Sequence, residues 1–289
     1  MYHLTDLHLE ERDHAGKELD KFIDRIKNDE SALWVGGGDY GGLIAPGDSR
    51  MGDGWAEGVP GERIPQYVTE VVTEKLMPIR DKCVGFGIGN HEWSLMQKFH
   101  HGVGFEIAQN LGIPHLYLGL RGWMPVTFRR QKSRQSQTLK IYWHHGWSAG
   151  RSKSRKLLQE EREYGAREAH VHLVGHDHQP WINTWYREEL YYTSTADHRW
   201  RQRWAPVCFM NGGSWTYGQI APDRKKAAKT PSQMRNEIWV EKKNFRPEPP
   251  RSPVLHVEVD FGHRVGKTGQ YRPQGFAFTE EMHSPTWTV

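Results

Sequence analysis

Five short polar clusters in this 289-residue chain combine Asp, Asn and His, which are side chains that hold divalent transition metals. They are Asp6-Leu7-His8, Gly38-Asp39, Gly89-Asn90-His91-Glu92, His144-His145-Gly146 and Gly175-His176-Asp177-His178. In an extended segment, residues two apart project to the same side, so Asp6 pairs with His8 and His176 with His178. The two side chains of each pair can therefore coordinate one metal ion from the same side. Any one cluster alone fits chance or ordinary surface histidines, but the five together favour a metal site.

The elements that must position these clusters follow from apolar periodicity. Leu19, Phe22, Ile23 and Ile26 have the i, i+3, i+4, i+7 spacing of a helix. Further helices are predicted near 68–76, 93–110 and 153–169, and strands at 1–5, 32–35, 84–88, 116–120, 124–128, 139–143, 171–174, 181–186, 190–195, 207–210 and 254–259. This pattern predicts an α/β layered domain, in which ligands gather beyond the carboxyl ends of strands. Each polar cluster follows such a strand.

Composition narrows the class of protein. Apolar residues make up 36% of the chain and charged residues 26%, which is typical of a globular protein. No apolar run approaches the ~18 residues of a membrane span, and the start lacks the pattern of a signal peptide. The two cysteines, Cys83 and Cys208, fit no zinc-finger spacing. The sequence therefore predicts a cytoplasmic protein with no membrane partner.

We interpret residues 1–289 as a single domain. A glycine-rich insertion is predicted at 40–63, and a basic, proline-rich excursion at 222–253. Long loops of the first kind in a compact domain are usually functional or mobile. No internal repeat is present, and the oligomeric state is not indicated by the sequence.

The net charge of +4 conceals an asymmetry. Residues 107–159 hold ten Lys and Arg and no acid, which leaves −6 for the remainder. Blocks of one sign often bind anionic partners such as phosphates or nucleic acid, and Arg151 and Lys153 closely follow the fourth cluster, so we expect them to bind an anionic substrate. Nucleic acid stays open as a partner. The alternative interpretation of this segment is an ordinary solvated basic face.

In their order and composition, the five clusters resemble the motifs of the calcineurin-like metallophosphoesterase superfamily. The resemblance covers residues 6–178 and is most specific at Gly89-Asn90-His91-Glu92 and Gly175-His176-Asp177-His178. It implies a four-layer α/β/β/α sandwich with mixed sheets and two metal ions at the sheet edge. It also implies a binuclear, metal-dependent hydrolase acting on a phosphate monoester or diester.

The resemblance assigns roles to individual residues. Asp6, His8, Asp39 and His178 would hold the first metal, and Asp39, Asn90, His144 and His176 the second, with Asp39 as the bridging carboxylate. The ligand set suits Mn, Fe, Zn or Ni better than Ca, and Mn is our expectation. Two such ions lower the pKa of a shared water, so that a bridging hydroxide attacks the phosphate in line. His91 would bind no metal and would assist the leaving group.

Two departures from the family pattern leave residues to be assigned. Gly38-Asp39-Tyr40-Gly41-Gly42 lacks the second Asp that can orient the catalytic His, so another acid or a backbone carbonyl must support His91. The His144-His145 pair is ambiguous. We prefer His144 as the ligand and keep His145 as the alternative.

Three functions therefore follow from the sequence. The first is a phosphoesterase of unspecified substrate. The second is a DNA or RNA nuclease of the same superfamily, whose activity would fall steeply with salt. The third is a non-catalytic, metal-stabilised binding protein, and the intact ligand set together with His91 argues against it.

Overall fold

The computed structural model describes residues 1–11, 14–43, 55–146, 158, 161–162, 166–193, 199–216, 250–261, 263–265, 270–272 and 275–283. This part of the chain is α/β, with four α-helices and two large mixed sheets. The α/β class predicted from the sequence is therefore confirmed. None of the helices in these ranges is both long and apolar enough to cross a membrane.

The first sheet has six strands in the order β13-β10-β1-β2-β3-β4. Its strands are β1 (Tyr2–Leu4), β2 (Trp34–Gly37), β3 (Cys83–Gly87), β4 (Tyr117–Gly119), β10 (Ser252–Asp260) and β13 (Gly275–His283). The four strands β1 to β4 are parallel, and β10 joins β1 antiparallel through Tyr2 opposite Val254. Because β1, β2 and β3 are parallel neighbours, the loops that follow them leave the sheet at one end.

The second sheet has five strands in the order β5-β6-β7-β9-β8. They are β5 (Arg121–Arg129), β6 (Ser136–His144), β7 (Val171–Val174), β8 (Trp181–Thr193) and β9 (Arg199–Asn211). β6, β7 and β9 are parallel, so their carboxyl ends also lie at one edge. A separate ribbon pairs β11 (His263–Val265) with β12 (Gln270–Arg272).

The four helices pack on the six-stranded sheet. The helices are α1 (Gly16–Asn28), α2 (Ile64–Leu76), α3 (Asn90–Phe99) and α4 (Val103–Asn110), with short 3₁₀ turns at Gly61–Arg63, Met77–Lys82 and Pro114–Leu116. The predicted apolar stripe of α1 is buried, and its Phe22 ring lies 5.4 Å from that of Tyr2 and 4.9 Å from that of Trp215. Side chains of all four helices, including Leu95 of α3, share one buried cluster with β1, β2 and β3.

A second buried cluster joins the two sheets. Val35 of β2 and Leu255 of β10 come from the six-stranded sheet, and Ile141, Trp143 and Leu173 from the five-stranded one. Burying apolar side chains of this size contributes roughly 1.5–3 kcal/mol each. The site therefore rests on strands that this core holds firmly.

The structure corrects several predicted elements. The helix expected over 93–110 is broken, because His100 adopts a left-handed conformation with φ 54° and ends α3, after which α4 begins at Val103. The strand expected at 181–186 and the described part of that expected at 190–195 belong to one strand, β8, and 207–210 lies within the last residues of β9. Strand β13 was not predicted. The helix expected at 153–169 lies mostly outside the described residues, as do most of the 222–253 excursion and residues 44–54 of the glycine-rich insertion.

Candidate metal centre

The predicted clusters meet where strands of both sheets end. Asp6 and His8 follow β1, and Asp39 follows β2. The main chain ties these loops together, since the Asp6 N–H donates to the Gly38 carbonyl at 2.9 Å and the His8 N–H to the Asp39 carbonyl at 3.2 Å. The loop after β7 reaches across from the other sheet, where the His176 N–H donates to the Asp6 carboxylate at 3.0 Å. Loops from two sheets thus form one polar site.

One group of candidate ligands consists of Asp6, His8 and His178, whose ligand atoms all lie within 4.8 Å of one another. The Asp6 Oδ2 atom accepts from the Thr5 hydroxyl at 2.6 Å, while Oδ1 lies 3.3 Å from His178 Nε2. His8 is buried, and its Nε2 atom has no hydrogen-bond partner among the described residues. A buried ring nitrogen without a partner, beside a carboxylate, fits a metal ligand.

The second group consists of Asp39, His145 and His176, and again all ligand atoms lie within 4.8 Å of one another. His145 Nε2 lies 3.0 Å from Asp39 Oδ2 and 3.2 Å from Asn90 Oδ1. Asn90 Oδ1 also lies 2.7 Å from His176 Nδ1. Asn90 is therefore part of this group, as predicted. A bridging position for Asp39 stays a prediction.

The structure places His145 in the centre instead of the preferred His144. The reason is the alternation of side chains along β6. Ile141 and Trp143 face the core between the sheets, and His145 continues on that side, where its Nδ1 contacts the Gly37 carbonyl at 2.8 Å. His144 points to the other face, where its ring lies 5.9 Å from that of Tyr142. The alternative assignment is therefore the one that the geometry favours.

His91 lies beside both groups without belonging to either. Its Nε2 atom is 3.9 Å from Asp39 Oδ2, and its ring stands edge-on to His8 with the centroids 5.2 Å apart. The Nδ1 atom is hydrogen-bonded to the Gly42 carbonyl. The question of what supports His91 is thus answered by a backbone carbonyl, one of the two alternatives left open. Burial lowers the pKa of His91, and the positive charge of His8 lowers it further against the opposing effect of Asp39.

Glu92 stabilises the loops of the site, a role that the family resemblance does not assign to it. Its buried carboxylate accepts the N–H groups of Gly89 at 2.8 Å, Asp39 at 3.0 Å and Tyr40 at 2.7 Å. It therefore fixes the loop after β2 against the start of α3. The signal was present in the sequence, because an acid three residues after a helix cap is the pattern of a capping box.

Glu11 is a second residue that the sequence analysis missed. Its carboxylate lies 3.1 Å from His8 Nδ1, so it fixes the orientation of this ring and leaves the other ring nitrogen, Nε2, available as a metal ligand. Carboxylates in this position orient metal-binding histidines and raise their basicity. The spacing His8–Glu11 is short, but nothing in it distinguishes this acid from its neighbour Glu10. Only the turned backbone after β1 brings Glu11 back onto His8.

Backbone strain is concentrated at the candidate ligands. Asp6, His8, Asp39, His176 and His178 all have positive φ, between 47° and 74°. This left-handed conformation is uncommon in residues with a Cβ, and strained positions of this kind cost on the order of 1–3 kcal/mol each and cluster at functional sites. The core and the Glu92 hydrogen bonds hold them in place. Five strained residues therefore lie together in one candidate site.

Two glycines permit the close approach of the loops. Gly38 has φ +83°, and a Cβ there would lie 2.1 Å from the Gly89 nitrogen. A Cβ on Gly89 would lie 2.0 Å from Asp39 Oδ1. Any side chain at these two positions would push Asp39 away from the centre. The glycines of the second and third clusters are thus a geometric requirement of the site.

The electrostatics of the second group favour positive charge. Burial alone would lower the pKa of His145, but the adjacent Asp39 carboxylate outweighs it and raises that pKa to about 10. Burial would likewise raise the pKa of Asp39, yet His145 and His91 hold it well below its usual range. Burial and the His145 charge lower the pKa of His176 to about 4. The buried carboxylate thus demands a cation, which a metal ion supplies as well as a proton does.

Two predicted substrate-binding residues lie outside the described part of the chain. Arg151 and Lys153 fall outside the described residues, so their expected role in binding substrate stays a prediction. Neither family models nor curated proteins give a match to this chain. Two His/Asp groups that could hold metal ions are what the structure itself provides.

Proposed function

We propose that this protein binds two divalent metal ions and hydrolyses a phosphate ester, as its resemblance to calcineurin-like metallophosphoesterases implies. The observation that carries the proposal is the meeting of two His/Asp groups at the strand ends of both sheets, with His91 beside them. Structural metal sites are enclosed by their ligands, whereas catalytic ones keep open positions. His91 and His178 retain partial exposure, so the centre is accessible from solvent.

The residues fit the group that the resemblance implies. Asp6, His8 and His178 would hold one ion, and Asn90, His145 and His176 the other, with Asp39 facing both. When bound, two such ions neutralise phosphate oxygens and supply a nucleophile near neutral pH. Manganese is the ion that we favour, with iron, zinc and nickel as alternatives, because oxygen and imidazole ligands are mixed.

His91 is the residue that we assign to the leaving group. The hydrogen bond from Nδ1 to the Gly42 carbonyl fixes the ring and leaves Nε2 on the side of Asp39. A proton held on Nε2 is then placed where a phosphate bound between the two groups would release its alcohol. The Gly42 carbonyl supports this role because it accepts a hydrogen bond from Nδ1–H in both protonation states of the ring. Nδ1 can therefore stay protonated while Nε2 gains or loses its proton.

The proposal extends to the layer arrangement. The buried cluster shared by the two sheets and the helices on the six-stranded sheet support three layers of the α/β/β/α sandwich that the resemblance implies. The fourth layer would be the helix predicted at 153–169, of which Leu158, Glu161 and Arg162 are helical, whereas residues 166–169 form a turn and an irregular segment, so the helix does not extend to 169. A single domain over 1–289 belongs to the same proposal.

The test combines metal analysis with hydrolysis of chromogenic phosphate esters. We expect about two metal ions per chain by elemental analysis and manganese-stimulated hydrolysis of a monoester or a diester. Asp39→Asn should lose metal and activity together, since the carboxylate belongs to the second group. Thr127→Ala, at an exposed pair on β5, is the control and should change neither. A metal-loaded protein that hydrolysed no ester would favour the metal-stabilised binding protein instead.

A further inference from the structure

Five large apolar side chains lie exposed on the hairpin formed by β8 and β9. Their exposed fractions are Tyr186 65%, Leu190 70%, Tyr192 48%, Trp200 67% and Trp204 64%. Directly opposed residues of antiparallel strands project to the same side, and the register pairs Tyr192 with Trp200, Leu190 with Gln202 and Glu188 with Trp204. The five side chains therefore share one face of the hairpin, which we term the aromatic face.

The aromatic face continues a face that is buried nearer the metal centre. There Ile182, Cys208 and Met210, which also have even numbers, belong to the core between the two sheets. Strand β7 pairs only with 208–211, so the remainder of β9 pairs, among the described strands, with β8. The hairpin thus extends past the rest of its sheet, and its even-numbered side chains stay apolar there except for Glu188 and Gln202. A solvated face would carry polar residues at these positions.

The charges on the hairpin argue against a nucleic-acid strand as the occupant. Aromatic platforms for bases are accompanied by cations that follow the phosphates. On this hairpin Arg187, Arg201 and Arg203 have odd numbers and project to the opposite face, where Arg187 and Arg203 bind the Glu189 carboxylate at 2.7 and 2.9 Å. Among the described residues of β8 and β9, the one charged side chain on the aromatic face is Glu188, an anion. The face suits an apolar protein surface.

The area indicates a second copy of this chain. From their exposed fractions, the five side chains present roughly 700 Å² of surface, above the ~300–600 Å² of the largest apolar patch on a typical monomer. Two copies facing each other through the same patch would bury about 1,400 Å², which lies within the range of stable protein interfaces. Tryptophan and tyrosine are also the residues that contribute most at such interfaces.

We propose that the protein forms a symmetric homodimer in which the aromatic faces of two copies pack against each other. The interface lies on the extended part of the hairpin, away from the ends of β7 and β9 where the metal ligands gather. The dimer is therefore independent of the proposed hydrolysis, and either can fail alone.

Sedimentation velocity of the full chain from low to high micromolar concentration tests the dimer. We expect the wild-type chain to sediment as a dimer and Trp204→Glu as a monomer, because the packed face would lose a large aromatic side chain and gain a second carboxylate directly opposite that of Glu188. Trp123→Glu is the matched control: Trp123 is 48% exposed on β5, the other edge strand of the same sheet, and its replacement should leave the dimer intact. A monomeric wild-type chain, or dimeric Trp204→Glu, would overturn the proposal.

A labelling experiment covers the case in which Trp204→Glu fails to fold. The chain has two cysteines, Cys83 and Cys208, and both are buried, so one introduced thiol reports on its own surroundings. Maleimide labelling of Gln202→Cys, on the aromatic face, should slow as protein concentration rises. Labelling of Arg201→Cys, on the opposite face, should not. Equal rates at all concentrations, or fluorescent single-stranded DNA bound by the monomer through Trp204, would contradict the dimer.

Discussion

The buried imidazole of His3 predicts a loss of stability in mild acid. His3 is fully buried on β1, and neither ring nitrogen has a hydrogen-bond partner among the described residues. Burial lowers its pKa from 6.5 to about 3, despite the nearby Asp6 carboxylate. Below pH 6.5 the unfolded chain takes up a proton at this residue and the folded chain does not. The unfolded state then binds more protons, so the free energy of unfolding falls as the pH falls.

The size of the effect follows from the two pKa values. At pH 5 protonation of His3 stabilises the unfolded chain by about 2 kcal/mol, whereas the folded chain, with a pKa of about 3, gains almost nothing. At pH 7 about a quarter of the unfolded chains carry this proton, which stabilises the unfolded state by only about 0.2 kcal/mol. Between pH 7 and pH 5 the wild-type chain should therefore lose about 2 kcal/mol more stability than His3→Gln, which cannot titrate.

Urea unfolding at pH 7 and pH 5, followed by tryptophan fluorescence with chelator present, measures this difference. The chelator removes the pH dependence of metal binding. Any constant cost of the buried glutamine cancels, because only the change between the two pH values is compared. His115→Gln, at an exposed position, is the control and should behave as the wild type. If His3→Gln lost as much stability as the wild type in acid, His3 would not be held neutral and the reasoning would be refuted.

Three further predictions concern the metal centre. Glu11→Gln should weaken metal binding by about 10–100-fold in calorimetry, since the carboxylate 3.1 Å from His8 Nδ1 is lost; unchanged affinity would exclude this positioning role. His91→Ala should keep most of its metal in elemental analysis but lose turnover by about 10²–10⁴-fold, and full activity would contradict its role. Gly89→Ala should displace Asp39, because its Cβ would lie 2.0 Å from Oδ1; metal content should fall although circular dichroism shows a folded chain.

The strand ends that carry the site could be predicted because local pattern determines them. Short apolar runs followed by Asp, Asn or His marked β1, β2, β3, β6 and β7, and the structure has a strand at each. The long hairpin of β8 and β9 is harder to predict from the sequence. A charged run, Arg187-Glu188-Glu189, separates the two predicted halves of β8. It is part of the strand because cross-strand pairing with β9 overrides local propensity.

The choice between His144 and His145 was also within reach of the sequence. Leu139, Ile141 and Trp143 mark the buried side of β6, and the same two-residue period leads to His145. The preference for His144 relied on motif spacing and ignored this period. Side-chain alternation was the stronger physical constraint.

The capping position of Glu92 is visible in the sequence, but the contacts that the supporting residues make with distant loops could not be predicted. The Gly42 carbonyl meets His91 only once the loop after β2 lies against the start of α3. Glu92 receives N–H groups from Asp39 and Tyr40, which are more than fifty residues away in the chain. The spacing of these residues along the chain does not indicate that they contact each other in the folded protein.

The adjacent histidines at the end of β6 allow the most direct test of the central claim. His145 lies 3.0 Å from Asp39, whereas its neighbour His144 faces away from the centre. Manganese-dependent hydrolysis of a chromogenic phosphate ester should be abolished in His145→Ala, with loss of bound metal, and retained in His144→Ala. Loss of activity in His144→Ala with retention in His145→Ala, or equal activity in both, would contradict a catalytic metal centre at these strand ends.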